Sequence, residues 1–184
     1  MDVTGNATVL VVDDEVHLAD LYADYLDGEH EVRTAYGGDE ALDALDEDVD
    51  VVLLDRRMPV TSGNEVLAAI EERGLECQVA MVTAVDPDFD VLDMGCDDYL
   101  VKPVERDDLL RTIDRLLKIS TYTDRYRELT AKKLKRNILE VEKSRVELRE
   151  NEQFQTLRSD IERLKADIED IADDLGSETI KRNL

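Results

Sequence analysis

The sequence predicts an α/β domain built on a doubly wound, five-stranded parallel sheet of order 2-1-3-4-5, followed by an all-α segment folded as a helical hairpin or coiled coil. Three observations predict it. Over residues 1–119, short apolar runs alternate with stretches of helical periodicity. The apolar runs are continuous, as strands covered on both faces require. Beyond residue 120 there is no proline and one glycine, Gly176, and apolar residues fall into a heptad. Consecutive βα units imply a parallel sheet with helices on both faces, and right-handed crossovers leave few strand orders.

Each element has its own signal. Thr8–Val12 is an apolar run stopped by Asp13-Asp14. Val16–Leu26 carries Leu18, Leu21, Tyr22 and Tyr25 at helical spacing, with Gly28 as a stop. Glu31–Ala35 is a second strand, broken by Gly37-Gly38, and Asp39 starts a helix to Leu45. Val49–Leu54 is a third strand ending at Asp55, and Ser62-Gly63 lies in the loop that follows. A helix over Glu65–Glu72 closes at Gly74. Gln78–Thr83 is the fourth strand, Pro87–Met94 a short helix, Tyr99–Val101 the fifth strand, and Asp107–Ile119 the last helix of this region.

Charge divides the chain as well. Asp plus Glu number 46 against 23 Lys plus Arg, a net charge of −23. Residues 1–119 hold 31 of the acids and 9 of the bases, and residues 120–184 hold 15 and 14. Such an acid excess strains a compact chain by self-repulsion in dilute salt and suits concentrated salt, a halophile's surface. The boundaries predicted are 1–119 for the α/β domain, 120–176 for the helical one and 177–184 for a flexible tail. Cys77 and Cys96 have no metal spacing and read as small apolar residues of a reducing compartment. No basic leader and no apolar run of membrane length is present, so a cytoplasmic protein with no membrane partner is expected. His17 and His30 are isolated and read as surface residues.

The polar residues gather at one place in this fold. Asp13, Asp14, Asp55, Thr83 and Lys102 each fall at or just past the carboxyl end of an apolar strand, where the crevice of a doubly wound sheet opens. Three carboxylates there cannot all ionise without a counter-charge. Lys102 supplies one charge, and a hard divalent cation with oxygen ligands, Mg²⁺, would supply two. A Gly-x-x-x-x-Gly-Lys loop, a Gly-x-Gly-x-x-Gly turn and an acid at position 57 are all missing, which argues against nucleotide-binding enzymes and Asp-x-Asp phosphatases.

Four segments together resemble the response regulator receiver family of two-component signalling. They are Val11-Val12-Asp13-Asp14-Glu15, Leu53-Leu54-Asp55-Arg56-Arg57-Met58-Pro59, Val82-Thr83-Ala84 and Asp98-Tyr99-Leu100-Val101-Lys102-Pro103. The resemblance covers about residues 6–119. It implies a flavodoxin-like fold and a chain that catalyses only its own phosphorylation and dephosphorylation. Asp55 would accept a phosphoryl group from a sensor histidine kinase. Asp14, Asp55 and the backbone carbonyl of Arg57 would ligate Mg²⁺, with Asp13 acting through water. Lys102 and the Thr83 hydroxyl would bond phosphoryl oxygens, Thr83 and Tyr99 would form a switch pair, and Pro103 would follow a cis bond. Two departures from the family stand out. The stretch from Thr83 to Lys102 is short by about one helical turn, and Arg57 borders the path of attacking water.

In the tail, Leu157, Ile161, Leu164, Ile168, Ile171 and Leu175 form a heptad seam, out of phase with Leu134, Ile138, Val141 and Leu148. The slip falls across Arg149–Gln153, so either one long helix stutters there or two helices turn back on each other, the latter slightly favoured. Gly176-Ser177 reads as a helix stop. The segment resembles the HalX domain of archaeal regulators, which implies signalling or transcription. It would dimerise or bind proteins through its seam. Alternatively it would bind DNA through Arg125, Arg127, Lys132, Lys133, Lys135 and Arg136, a run with only Asp124 and Glu128 as acids. Without a helix-turn-helix signature, the protein-contact reading is favoured.

Overall fold

The structure, a computed structural model, describes residues 6–84 and 95–182, with side chains up to Gly176. The chain divides into two compact units, Met1–Leu117 and Lys118–Leu184.

The first unit holds β1 (Thr8–Val12), α1 (Val16–Leu26), β2 (Glu31–Ala35), α2 (Gly38–Ala44), β3 (Val51–Leu54), α3 (Gly63–Arg73), β4 (Gln78–Thr83) and β5 (Asp98–Val101). All pairings are parallel, and the order is β2-β1-β3-β4-β5. The short helix expected over Pro87–Met94 lies outside the described residues.

Strand composition explains the layering. Residues alternate faces along a strand. Leu10, Val12, Val52, Leu54, Val79 and Met81 pack with Ala41 of α2, with Leu45 at its end, and with Val66, Leu67 and Ile70 of α3. Val9, Val11, Val51 and Val82 are equally buried and point to the other face, left to α1 through Ala19, Tyr22 and Leu26 and to Leu109, Ile113 and Leu116 of the helix that follows β5. Ser62 caps α3, accepting from the Glu65 N–H while the Glu65 carboxylate accepts from the Ser62 N–H; Gly74 ends the helix at φ 66°.

The helix after β5 corrects one expectation. It does not stop at Ile119. α4 runs unbroken over Arg106–Glu142, leaving the first unit at Leu117 and entering the second at Lys118. No proline or glycine interrupts this stretch, so nothing in the backbone ends it. The break comes at Lys143-Ser144. There Ser144 and Glu147 form a second capping box and start α5 (Arg145–Glu150). Asn151 ends α5 and caps α6 (Glu152–Arg182) by accepting from the Phe154 N–H at 2.9 Å.

The helical unit is an antiparallel hairpin. Lys132 pairs with Asp160 at 2.8 Å and Lys118 with Asp174 at 3.9 Å, so residue numbers rise on one helix as they fall on the other. Leu129 of α4 is buried with Ile161, Leu164 and Ile168 of α6, flanked by Tyr122 and Leu157. The heptad seam is thus used within the chain. The stop expected at Gly176-Ser177 is overturned, because α6 continues to Arg182. A lone glycine costs a helix about 1 kcal/mol and does not by itself end one. Among the described residues, no helix is long and apolar enough to cross a membrane.

Candidate functional site

Strand ends build the site. The Asp13 N–H donates to the Ala35 carbonyl at 3.2 Å, the Asp55 N–H to the Val12 carbonyl at 2.8 Å, and the Lys102 N–H to the Thr83 carbonyl at 2.8 Å. Each of these residues therefore extends its strand's ladder by one step. Their side chains emerge where the sheet ends, beside the switch point between β1 and β3.

The charged groups converge. One carboxylate oxygen from each of Asp13, Asp14 and Asp55 lies within 4.8 Å of the others. Lys102 Nζ donates to Asp13 Oδ2 at 2.6 Å and lies 3.2 Å from Asp55 Oδ1. Asp13 and Asp55 are only 2 % and 6 % exposed, and Asp14 is more open. Backbone donors hold the remaining oxygens. The Glu15 N–H donates to Asp13 Oδ1 at 2.9 Å, and the Arg57 N–H donates to Asp55 Oδ2 at 3.1 Å.

Burial and neighbours set the protonation. Burial pushes the Asp55 carboxyl above its usual range, more than the adjacent ammonium of Lys102 pulls it down, and Asp13 adds to the rise. Burial opposes the charge on Lys102, yet its bonds to Asp13 and the charges of both aspartates together lift it above the ordinary lysine value. One ammonium against three carboxylates leaves the cluster short of positive charge, and its donors are all oxygens. That is the donor set a hard divalent cation such as Mg²⁺ takes.

Other expected residues fall near this cluster. Thr83 is buried at the end of β4. Tyr99 on β5 is half-buried and pairs across from Met81, two residues before Thr83, so Thr83 and Tyr99 face the same side of the sheet. The Lys102-Pro103 peptide bond is cis. The Arg57 side chain is exposed, while its backbone faces Asp55. His17 is exposed, but His30 is half-buried, and its Nδ1 has no partner among the described residues.

Three features were missed at the sequence level. Tyr22 of α1 is buried within the field of Lys102, Asp13 and Asp55; burial above all raises its hydroxyl to about 12. Its place in the helical apolar series was the available signal. Val60, in the loop after Asp55, has φ 68° and is exposed, a conformation that costs a β-branched residue energy. Gly63 packs against the site's own backbone. A Cβ there would collide with the Asp55 carbonyl oxygen and sit 2.9 Å from Arg56 Cα. Gly63→Ala is therefore expected to destabilise the fold by about 2 kcal/mol through overpacking and to shift the Asp55 loop. Chemical denaturation together with the rate of Asp55 modification checks it, and an unchanged rate would show that the loop tolerates the shift.

The basic run of the tail is mostly engaged. Lys132 pairs with Asp160, Arg125 with Glu128 at 3.5 Å, Arg127 with Asp124 at 3.7 Å and Arg136 with Glu140 at 3.9 Å. Only Lys133 and Lys135 of the six make no ion pair among the described residues.

Comparison with known proteins fits this geometry. The family model of the response regulator receiver domain matches residues 9–114, and that of the HalX domain matches residues 118–183. A Haloferax volcanii protein named "Putative transcriptional regulator" is 49% identical over 162 residues, covering 88% of this chain and 28% of that one. The transcriptional regulatory protein DltR of Streptococcus agalactiae is 39% identical over 110 residues, covering 57% of this chain and 49% of its own length. The chain thus spans half or less of these relatives. A CheY-like receiver domain protein from Methanospirillum hungatei superposes with a TM-score of 0.58 at 28% identity, over 64% of this chain and 98% of that one. With the sheet order, the acid cluster at its switch point and both family matches in hand, the chain belongs to the response regulator receiver domain family and carries a HalX domain after its receiver.

Proposed function

We propose that this chain is a two-component response regulator that accepts a phosphoryl group from a sensor histidine kinase on Asp55 and relays that state through protein contacts of its helical hairpin. The observation that carries the reading is the Asp55 carboxylate held between Lys102 and the backbone of Arg57, beside Asp13 and Asp14. An Asp55 oxygen forms the new P–O bond while the P–N bond to the kinase imidazole breaks and its electron pair leaves on nitrogen. Phosphoryl transfer is mostly positioning and charge stabilisation, and this cluster supplies both.

The roles divide by geometry. Asp13, Asp14, Asp55 and the Arg57 carbonyl would hold Mg²⁺, whose chemistry is to neutralise the transferring phosphoryl oxygens. Lys102 neutralises a further oxygen. Buried Thr83 offers its hydroxyl to the phosphoryl group. Tyr99, on the same side of the sheet, turns inward as Thr83 moves, and so biases a bistable face. The chain acts on no diffusible substrate and works in the cytoplasm. We assign residues 1–119 to the receiver and the helical segment from residue 120 to the output.

Mass spectrometry after incubation with a small phosphodonor and Mg²⁺ tests the reading. The wild-type chain is expected to gain one phosphoryl mass, and Asp55→Asn none. A wild-type chain that gains no mass, or an Asp55→Asn chain that gains as much, sinks it.

DNA binding is the second reading, and one observation relocates it. Lys143, Arg145, Arg149 and Arg158 line a cleft of about 530 Å³ at the hairpin tip, with Glu140 the only acid in its lining. None of these four cations enters an ion pair among the described residues. On this reading Arg149→Glu with Arg158→Glu would abolish a salt-dependent duplex shift, and a wild-type chain that shifts no duplex removes the reading.

A further inference from the structure

We infer that the outer face of α4 is the contact surface of an antiparallel, two-fold symmetric dimer of this chain. The inference rests on the proposed output through protein contacts and names the surface, the partner and the orientation.

Leu134, Ile138 and Val141 are 62%, 54% and 83% exposed. Their spacing of four and three makes one stripe on the helix. Ile138 lies nine residues, or two and a half turns, beyond Leu129, the residue buried against α6. Leu134, Ile138 and Val141 therefore stand roughly 140°, 180° and 120° around the helix from Leu129, and Ile138 also borders the cleft of about 750 Å³ that α4 forms with Leu148, Phe154 and Leu157. It is a second seam, and each of its three residues stays more than half exposed among the described residues. A heptad-spaced apolar stripe on a charged helix is the pattern by which one helix packs on another.

Charge selects the occupant. Lys135 and Glu142 each follow a stripe residue by one position and stand seven residues apart, so both lie along the same edge. Neither enters an ion pair among the described residues. The opposite edge of α4 carries Thr130 and Asn137, both uncharged. In an antiparallel pair of identical helices like edges meet, and the charged edge of one copy runs head to tail along that of the other. Lys135 then meets Glu142 of the second copy, and the two-fold axis repeats the pair. A parallel pair would set the charged edge against the neutral one and leave all four charges unmatched. The stripe is thus self-complementary in one orientation, as an isologous dimer requires. Its small area predicts a weak, concentration-dependent dimer, with dissociation constants on the order of micromolar.

Sedimentation equilibrium of the full chain tests this, in the lowest salt at which circular dichroism shows it folded, because screening weakens the charge pairs. The wild type is expected to rise toward twice its 20.9 kDa as concentration increases. Ile138→Glu should raise the dissociation constant about tenfold or more. Lys135→Glu and Glu142→Lys should each weaken self-association, while a mixture of the two variants should associate more tightly than either alone, since every contact in that heterodimer is attractive. A wild type that stays monomeric overturns the inference. So does an undiminished dimer in Ile138→Glu, or a mixture no tighter than its components. Phosphoryl mass on Asp55, measured on the same sample, reports separately on the phosphoacceptor reading, so loss of one leaves the other standing.

Discussion

Lys102→Met is expected to cost the receiver about 3–5 kcal/mol, because it removes the cation that two buried carboxylates share. Asp13 and Asp55 would remain below the surface, with Asp14 nearby and no positive charge among them. The protein's answer is to protonate. The Asp55 carboxyl, already raised by burial, would rise further without the ammonium. The acid limb of Asp55 phosphorylation should therefore move to higher pH in the variant, and the rate at neutral pH should fall by orders of magnitude. Stability has its own signature. The folded-state pKa of Lys102 lies above its unfolded value, so its contribution is complete below the ordinary lysine range and is lost as pH climbs through the folded value. Wild type should lose this increment in strong alkali, and the variant should have none to lose. Denaturant melts across pH measure it. A variant as stable as wild type at neutral pH would mean that the three carboxylates find another counter-charge.

Leu164→Ala is expected to cost the hairpin about 3 kcal/mol. Leu164 is fully buried against Leu129 between Ile161 and Ile168, and this small cluster is the hairpin's main apolar core. Surface ion pairs such as Lys132–Asp160 contribute too little to compensate. Because the two units are separately compact, the loss should appear as a helical transition that comes earlier, with the receiver transition unmoved. Calorimetry or far-UV circular dichroism resolves the two. A single, equally shifted transition would show that the units unfold together.

Much of this molecule was legible beforehand, for identifiable reasons. Short apolar runs such as Thr8–Val12, Val51–Leu54 and Tyr99–Val101 are too short for helices and read as buried strands, so the polar residues at their ends, Asp13-Asp14, Asp55 and Lys102, were placed by counting. The Ser62/Glu65 and Ser144/Glu147 capping boxes were equally present in the sequence, yet neither was read as a cap, and with the second the start of α5 was missed. Helix ends without such signals were harder. At Ile119 only a change in composition marked a boundary, and α4 ran through it; at Gly176 a weak breaker was outweighed by the helix already formed.

By itself, then, the sequence determined the parallel sheet and which acids and which lysine reach its carboxyl edge, because strand polarity and side-chain alternation are local rules, and it narrowed the strand order to a few that the pairing then decided. Only the tertiary structure decided what those residues meet. It placed Lys102 between Asp13 and Asp55, pressed Gly63 against the Asp55 backbone, folded the heptad of α6 onto α4 of the same chain, and left Leu134, Ile138 and Val141 bare. A heptad states that a helix has a seam. Which surface fills the seam depends on where the chain turns, and that is settled by packing between residues far apart in sequence.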